Sequence, residues 1–141
     1  MLMFLTVTVF QSCQDDITDF ADPRDAIEKS WRTNDSGNPN ADYDVIITKD
    51  TDETTKVWLE NFHALGFGEK ISATMAGDKL TISNQVMAQD YTISGTGIIS
   101  SDLKNIDWDY SVTTTDGTDY FTAQSGEQVV VAAKKRALAS L

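Results

Sequence analysis

Reactive side chains are almost missing from this chain. One cysteine and one histidine occur in 141 residues. That excludes an internal disulfide, a cysteine zinc cluster, and any multi-histidine metal site or histidine relay. Only two prolines are present, so no Pro-rich linker divides the chain. Cations are scarce as well: 11 Lys and Arg face 22 Asp and Glu, for a net charge of −11. Nucleic acid is a poor partner for such a chain, because phosphate binding depends on clustered positive charge. What remains, 40% hydrophobic and 23% charged, is the composition of a single globular domain long enough to enclose a core. There is no internal repeat and no low-complexity tract.

The first ten residues, MLMFLTVTVF, carry no charge, and Gln11-Ser12-Cys13 follows at once, then Gln14-Asp15-Asp16. Such a stretch is too short to span a bilayer as a helix but suits the core of a signal peptide. It lacks a Lys/Arg segment ahead of it, which leads us to expect a true start upstream of Met1. An apolar run closed by a small residue and then Cys resembles the bacterial lipoprotein signal, with Ser12 as the small residue. The resemblance implies that Cys13 is lipidated and becomes the first residue after cleavage. The acids behind it resemble the signal that exports lipoproteins of Bacteroidota to the outer face of the outer membrane. Several acyl chains on one residue anchor firmly, at about 0.8 kcal/mol per buried CH₂. The competing reading is a β-strand over Leu5–Phe10, from its alternation, with Cys13 a plain thiol. The expected organisation is a signal segment 1–12, an acidic tether 13–21, a barrel domain 22–133 and a basic tail 134–141.

Asp22-Pro23-Arg24-Asp25 reads as a helix start: Asp22 caps, Pro23 takes the first helical position, and Asp25 serves the capping box. Ile27 and Trp31, four apart, would share one face of that short helix. Asn34 to Asn40 (NDSGNPN) is a loop by composition. From Tyr43 the period becomes two. Tyr43, Val45 and Ile47 alternate with polar neighbours, as do Val57 and Leu59, which places Ile47 opposite Val57 and Val45 opposite Leu59. A two-residue loop at Gly77-Asp78 sets Met75 against Leu80 and Ala73 against Ile82. Asp116-Gly117, read as a type I′ pair, sets Val112 against Phe121 and Tyr110 against Ala123. A four-residue turn at Ser101–Lys104 sets Ile99 against Ile106, Gly97 against Trp108, Gly95 against Tyr110 and Ile93 against Val112. Rings lying over glycines restore packing that glycine loses, and a slip of one residue would undo all four pairs.

Strands are thus expected near Trp31 and over 42–49, 55–62, 70–76, 79–87, 90–99, 105–115 and 118–124, with Val129–Ala133 extending or replacing the last. Successive short loops make a meander, and a long meander hides its edges best by closing. The fold class expected is all-β: an antiparallel up-and-down barrel of about eight strands with one short N-terminal helix.

In this order the residues resemble the small lipocalin-like (calycin-like) lipoproteins of Bacteroidota, a family mostly of unassigned function. Carrying the resemblance over 13–125 are Cys13, DPRD followed by Trp31, VWLENF (57–62), MAGDKLTI (75–82), TISGTG (92–97) and IDWDYSV (106–112). It implies a non-enzymatic cell-envelope protein, attached to the membrane through its lipid. Lipocalins carry Gly-x-Trp before the first strand, the Trp plugging the barrel floor; Trp31 matches, while Lys29 stands at the glycine position. An Arg after the last strand covers that Trp in lipocalins, and Arg136 is its counterpart by position. The tail KKRALASL departs from the family pattern.

Candidate chemistry is thin. His63 is the one side chain that titrates near neutrality, yet no G-x-S-x-G elbow accompanies it; it reads as a surface residue at a strand end. Asp107 and Asp109 flank Trp108 on the solvated side of a strand rather than a glycosidase cleft. Asp50, Asp52 and Glu53 lack the spacing of a calcium loop and suit a turn. No catalytic residue, metal or cofactor is expected. Tyr43, Trp108, Tyr110 and Phe121 are the candidate ligand-binding residues, facing the barrel interior. Trp58 and Phe62 are read as pointing outward. The function expected is a binding module for a small apolar or carbohydrate ligand; the alternative is a filled barrel that docks another envelope protein.

Overall fold

The structure, a computed structural model, describes residues 21–36, 42–87 and 90–128. Eight antiparallel strands follow one another: β1 (Ser30–Asp35), β2 (Asp42–Lys49), β3 (Lys56–Glu60), β4 (Lys70–Ala76), β5 (Lys79–Val86), β6 (Thr92–Ile99), β7 (Asn105–Thr114) and β8 (Gly117–Glu127). Each pairs with the next, and β1 pairs with β8 from Trp31↔Glu127 to Asp35↔Ala123, which closes the barrel. Closure removes the exposed edges that an open meander would leave. Period-two burial is clearest in β7, where Ile106, Trp108, Tyr110 and Val112 are buried and Asp107 and Asp109 exposed.

The expected pairs of β6 and β7 are all present: Ile93↔Val112, Gly95↔Tyr110, Gly97↔Trp108 and Ile99↔Ile106. Met75 pairs with Leu80 across Gly77-Asp78. Two registers differ from expectation, each by two residues. Ile47 pairs with Leu59, not Val57, because the β2–β3 connection is longer and Val57 pairs with Lys49. At the last hairpin Thr114 pairs with Gly117, so Thr115 and Asp116 form the loop, and the positive φ of 133° falls on Gly117. Tyr110 therefore meets Phe121, Trp108 meets Ala123 and Val112 meets Asp119.

The β4–β5 ladder runs only from Thr74↔Thr81 to Ala76↔Lys79. Beyond it a bulge between Ile82 and Gln85 shifts β5 against β6. There the Gln85 side-chain amide replaces a strand residue: it donates to the Ser72 carbonyl (2.8 Å) and accepts from the Ser72 N–H (2.9 Å).

The expected N-terminal helix is a single 3-10 turn, Pro23–Ala26, capped by Asp22. Trp31 lies beyond it on β1 and points into the barrel; its indole N–H donates to the Ile27 carbonyl at 2.9 Å. The turn closes the barrel end that also carries the 50–55, Gly77-Asp78 and 100–104 connections. Arg24, a residue only 7% exposed, holds it there: its guanidinium donates to the carbonyls of Asp50, Glu53 and Lys56 at 2.8–3.0 Å and pairs with Asp22 at 2.8 Å.

Arg24→Ala removes the donor shared by three carbonyls of the 50–56 connection, of which the Glu53 and Lys56 carbonyls keep a backbone N–H. A loss of about 2 kcal/mol is expected in urea unfolding, and no change in midpoint would contradict this clamp. Hydrogen bonds from Arg24, side chain first and backbone second, hold the Asp22 carboxyl down to about 2 from its ordinary 3.8. Stability from this pair is therefore present above pH 3.8 and lost as pH falls through about 2.

The signal segment 1–12, Cys13, and the tail 134–141 with Arg136 lie outside the described residues, as do Val129–Ala133 and the tether 13–21 apart from Ala21. No helix among the described residues is long and apolar enough to cross a membrane.

Candidate functional site

The two barrel ends differ in construction. At the Arg24 end a cation bonded to carbonyls makes the closure, and Lys29 lies over Trp31 with its Nζ 4.8 Å from the ring centroid and 2.9 Å from Glu127. Trp31, the expected floor plug, is fully buried there. The opposite end gathers titratable and aromatic groups from five segments.

Asp35 is the centre of that cluster. The period of Trp31, Thr33 and Asp35 on β1 turns all three inward, and the Asp35 side chain is 0% exposed. From β2 the Tyr43 hydroxyl donates to Asp35 Oδ2 at 2.9 Å, and from β7 the Tyr110 hydroxyl donates to the same oxygen. His63 Nδ1 stands 2.6 Å from the Tyr110 hydroxyl and 3.5 Å from Asp35 Oδ2. Burial, then the charge on Asp35, pushes the Tyr43 phenol well above its ordinary value. Burial first and neighbouring Tyr43 second do the same to Tyr110. Both phenols thus stay protonated and serve as donors to a buried carboxylate, the arrangement a low-dielectric interior demands.

Phe62 and His63 reach this site through an unusual backbone. Beyond β3, Asn61, His63 and Ala64 take left-handed conformations with φ of 63°, 58° and 56°. The first turns the chain inward, so Phe62 is buried, contrary to the outward reading. Its ring meets Trp108 and Tyr110 edge-on, with centroids 5.0 and 4.9 Å away. His63 is likewise no surface residue: its side chain is 15% exposed and its ring lies 5.0 Å from half-buried Phe121. Trp58 is half-buried, its N–H bonded to Asp50 at 2.8 Å and its ring under Lys56. Asp50 also accepts from the backbone N–H groups of Asp52 and Glu53, so its carboxylate caps the turn.

Of the four candidate residues, Tyr43, Tyr110 and Phe121 converge at this end. Trp108 sits deeper, its indole N–H donating to Ser125 Oγ at 2.9 Å, which in turn contacts Thr33 Oγ1 at 2.7 Å. Sequence reasoning missed Asp35 and the inward course of Phe62 and His63. The alternation Trp31-x-Thr33-x-Asp35 was the available signal for the first; the tolerance of Asn for left-handed backbone was the one cue for the second. Two clefts, of about 370 and 360 Å³, lie elsewhere: one beside Asp22, Thr55 and Met75, the other over Asn34, Asp107 and Gln124.

No family model matches the chain, and no curated protein matches it. Among solved structures it is similar to a redesigned β-barrel, b11L5F_LGL (TM-score 0.50, 12% identity, covering 74% of this chain and 94% of that one). It is also similar to EF1p2_mFAP2b bound to DFHBI (TM-score 0.52, 10% identity, covering 74% and 95%). At such identities the likeness speaks for the fold: a closed eight-stranded antiparallel up-and-down barrel.

Proposed function

We propose that the protein is a non-enzymatic lipoprotein of the bacterial outer membrane, of the lipocalin-like kind found in Bacteroidota, whose barrel binds a small apolar or carbohydrate ligand. The observation carrying this reading is the asymmetry of the barrel ends. One is sealed by Arg24 on three carbonyls; the other is closed by a strained turn over the ring and hydroxyl cluster of Tyr43, Tyr110, His63 and Phe121. Rings and hydroxyls converging at a barrel mouth suit a small ligand, and a barrel of similar fold is bound to DFHBI. Against catalysis stand the commitment of His63 Nδ1 to Tyr110 and the outward course of Asp107 and Asp109.

Trp emission titrated with single-chain lipids and with oligosaccharides is expected to change saturably for one class. Silence across both panels overturns the reading. A second reading, docking of another envelope protein, is favoured by Phe67, Val86 and Tyr120, which are exposed large hydrophobics on segments of the same end. Membrane attachment rests on the sequence around Cys13. Cys13→Ala should abolish labelling of the full-length protein with radioactive palmitate, and persistent labelling would end the anchor proposal.

A further inference from the structure

We propose that the turn at 61–65 is a gate, and that its Phe62 ring occupies the place of a small aromatic ligand between Trp108 and Tyr110. The inference rests on the binding-module reading and adds to it the ligand's class and its way in.

Phe62 is the buried ring that a turn, not a strand, delivers to the aromatic cluster. β3 ends at Glu60, and the ring then sits edge-on to both Trp108 and Tyr110. Edge-to-face contacts of this kind are not specific to a covalently attached ring; a free one fits the same geometry. The turn that holds Phe62 there is strained. Three L residues, Asn61, His63 and Ala64, hold left-handed backbone, each at an energetic cost. Asn61 is compensated by hydrogen bonds from its amide to the Asp44 carbonyl and from the Gly66 N–H to its Oδ1. Ala64 has no side chain able to do likewise. At its base Asn61 N–H donates to the Glu69 carbonyl, within it Ala64 N–H donates to the Asn61 carbonyl and Leu65 N–H to the Phe62 carbonyl, and at its tip His63 meets Tyr110 and Phe121. Opening releases the strain, and an entering ring restores the contacts Phe62 gives up. The closed form is then a self-occupied state, and apparent affinity scales with the fraction of turns that are open.

The test uses p-cresol as probe on the full chain, read by the NMR shift of the Trp108 indole N–H. Ala64→Gly relieves left-handed strain in the closed turn. It should raise the thermal midpoint and weaken p-cresol binding about fivefold. Phe62→Ala removes the competing ring and should tighten binding at least tenfold. If p-cresol binds the wild type but Ala64→Gly leaves its affinity unchanged, or lowers the midpoint, the gate is overturned and the binding reading stands. If p-cresol fails to bind the wild type while a lipid or oligosaccharide still shifts Trp emission, the gate again falls alone. If no probe binds, both fall together.

Discussion

Replacing Tyr43 and Tyr110 together by Phe is expected to destabilise the barrel by about 3–5 kcal/mol, because it takes two hydroxyl donors away from the buried Asp35 carboxylate. The two hydroxyls converge on Asp35 Oδ2, whose side chain has no exposure to water. Asp35→Ala alone removes the acceptor that the Tyr43 and Tyr110 hydroxyls share, with His63 Nδ1 still beside Tyr110, for a cost of about 2–4 kcal/mol. The triple variant, with all three changed, should lie closer to the wild type than the Phe pair does, since it removes the buried acceptor together with two of its donors. Urea unfolding of the three variants reads the comparison. A Phe pair costing under about 1 kcal/mol, or a triple variant worse than the pair, would show that the cluster is not an interdependent unit.

The second large effect lies where β6 passes over β7. A Cβ added at Gly97 would stand 2.5 and 2.6 Å from ring atoms of Trp108, whereas one at Gly95 would stand 2.6 Å from the Asp109 carbonyl oxygen and from Tyr110 Cα. A ring can swing aside; a paired backbone cannot without parting the ladder. Gly97→Ala should therefore cost about 1–3 kcal/mol, and Gly95→Ala about 3 kcal/mol or more. Adding Trp108→Leu should recover much of the Gly97→Ala cost, because the obstructing atoms are gone. Adding Tyr110→Ala to Gly95→Ala should recover little, since Ala keeps the Cβ and the backbone that obstruct. Equal costs at both glycines, or strictly additive double variants, would contradict this reading of the seam.

The glycine and ring pairs were legible because a four-residue turn and the inward period of both strands left one register that buried every large side chain. The same logic failed at β2–β3 and at β7–β8, and for one reason. A slide of two residues keeps the same side chains facing inward, so the hydrophobic pattern is blind to it. Only the closed turn decides. At Asp116-Gly117 the dipeptide suggested both loop positions, but Gly117 became the first residue of β8, and Tyr110 gained Phe121 as its partner. Phe62 and His63 were misread for a different reason: left-handed Asn61 reverses the alternation of β3, and the tolerance of Asn for that conformation was the one local cue.

Composition, turn spacing and alternation by themselves determined a meander of eight strands and which face of each is apolar, because period and turn chemistry act over a few neighbouring residues. The meeting of Asp35, Tyr43, His63 and Tyr110, drawn from positions up to 75 residues apart, was decided by closure of β1 against β8 and by one strained turn. Those depend on the shape of the whole barrel, which short stretches of sequence do not encode.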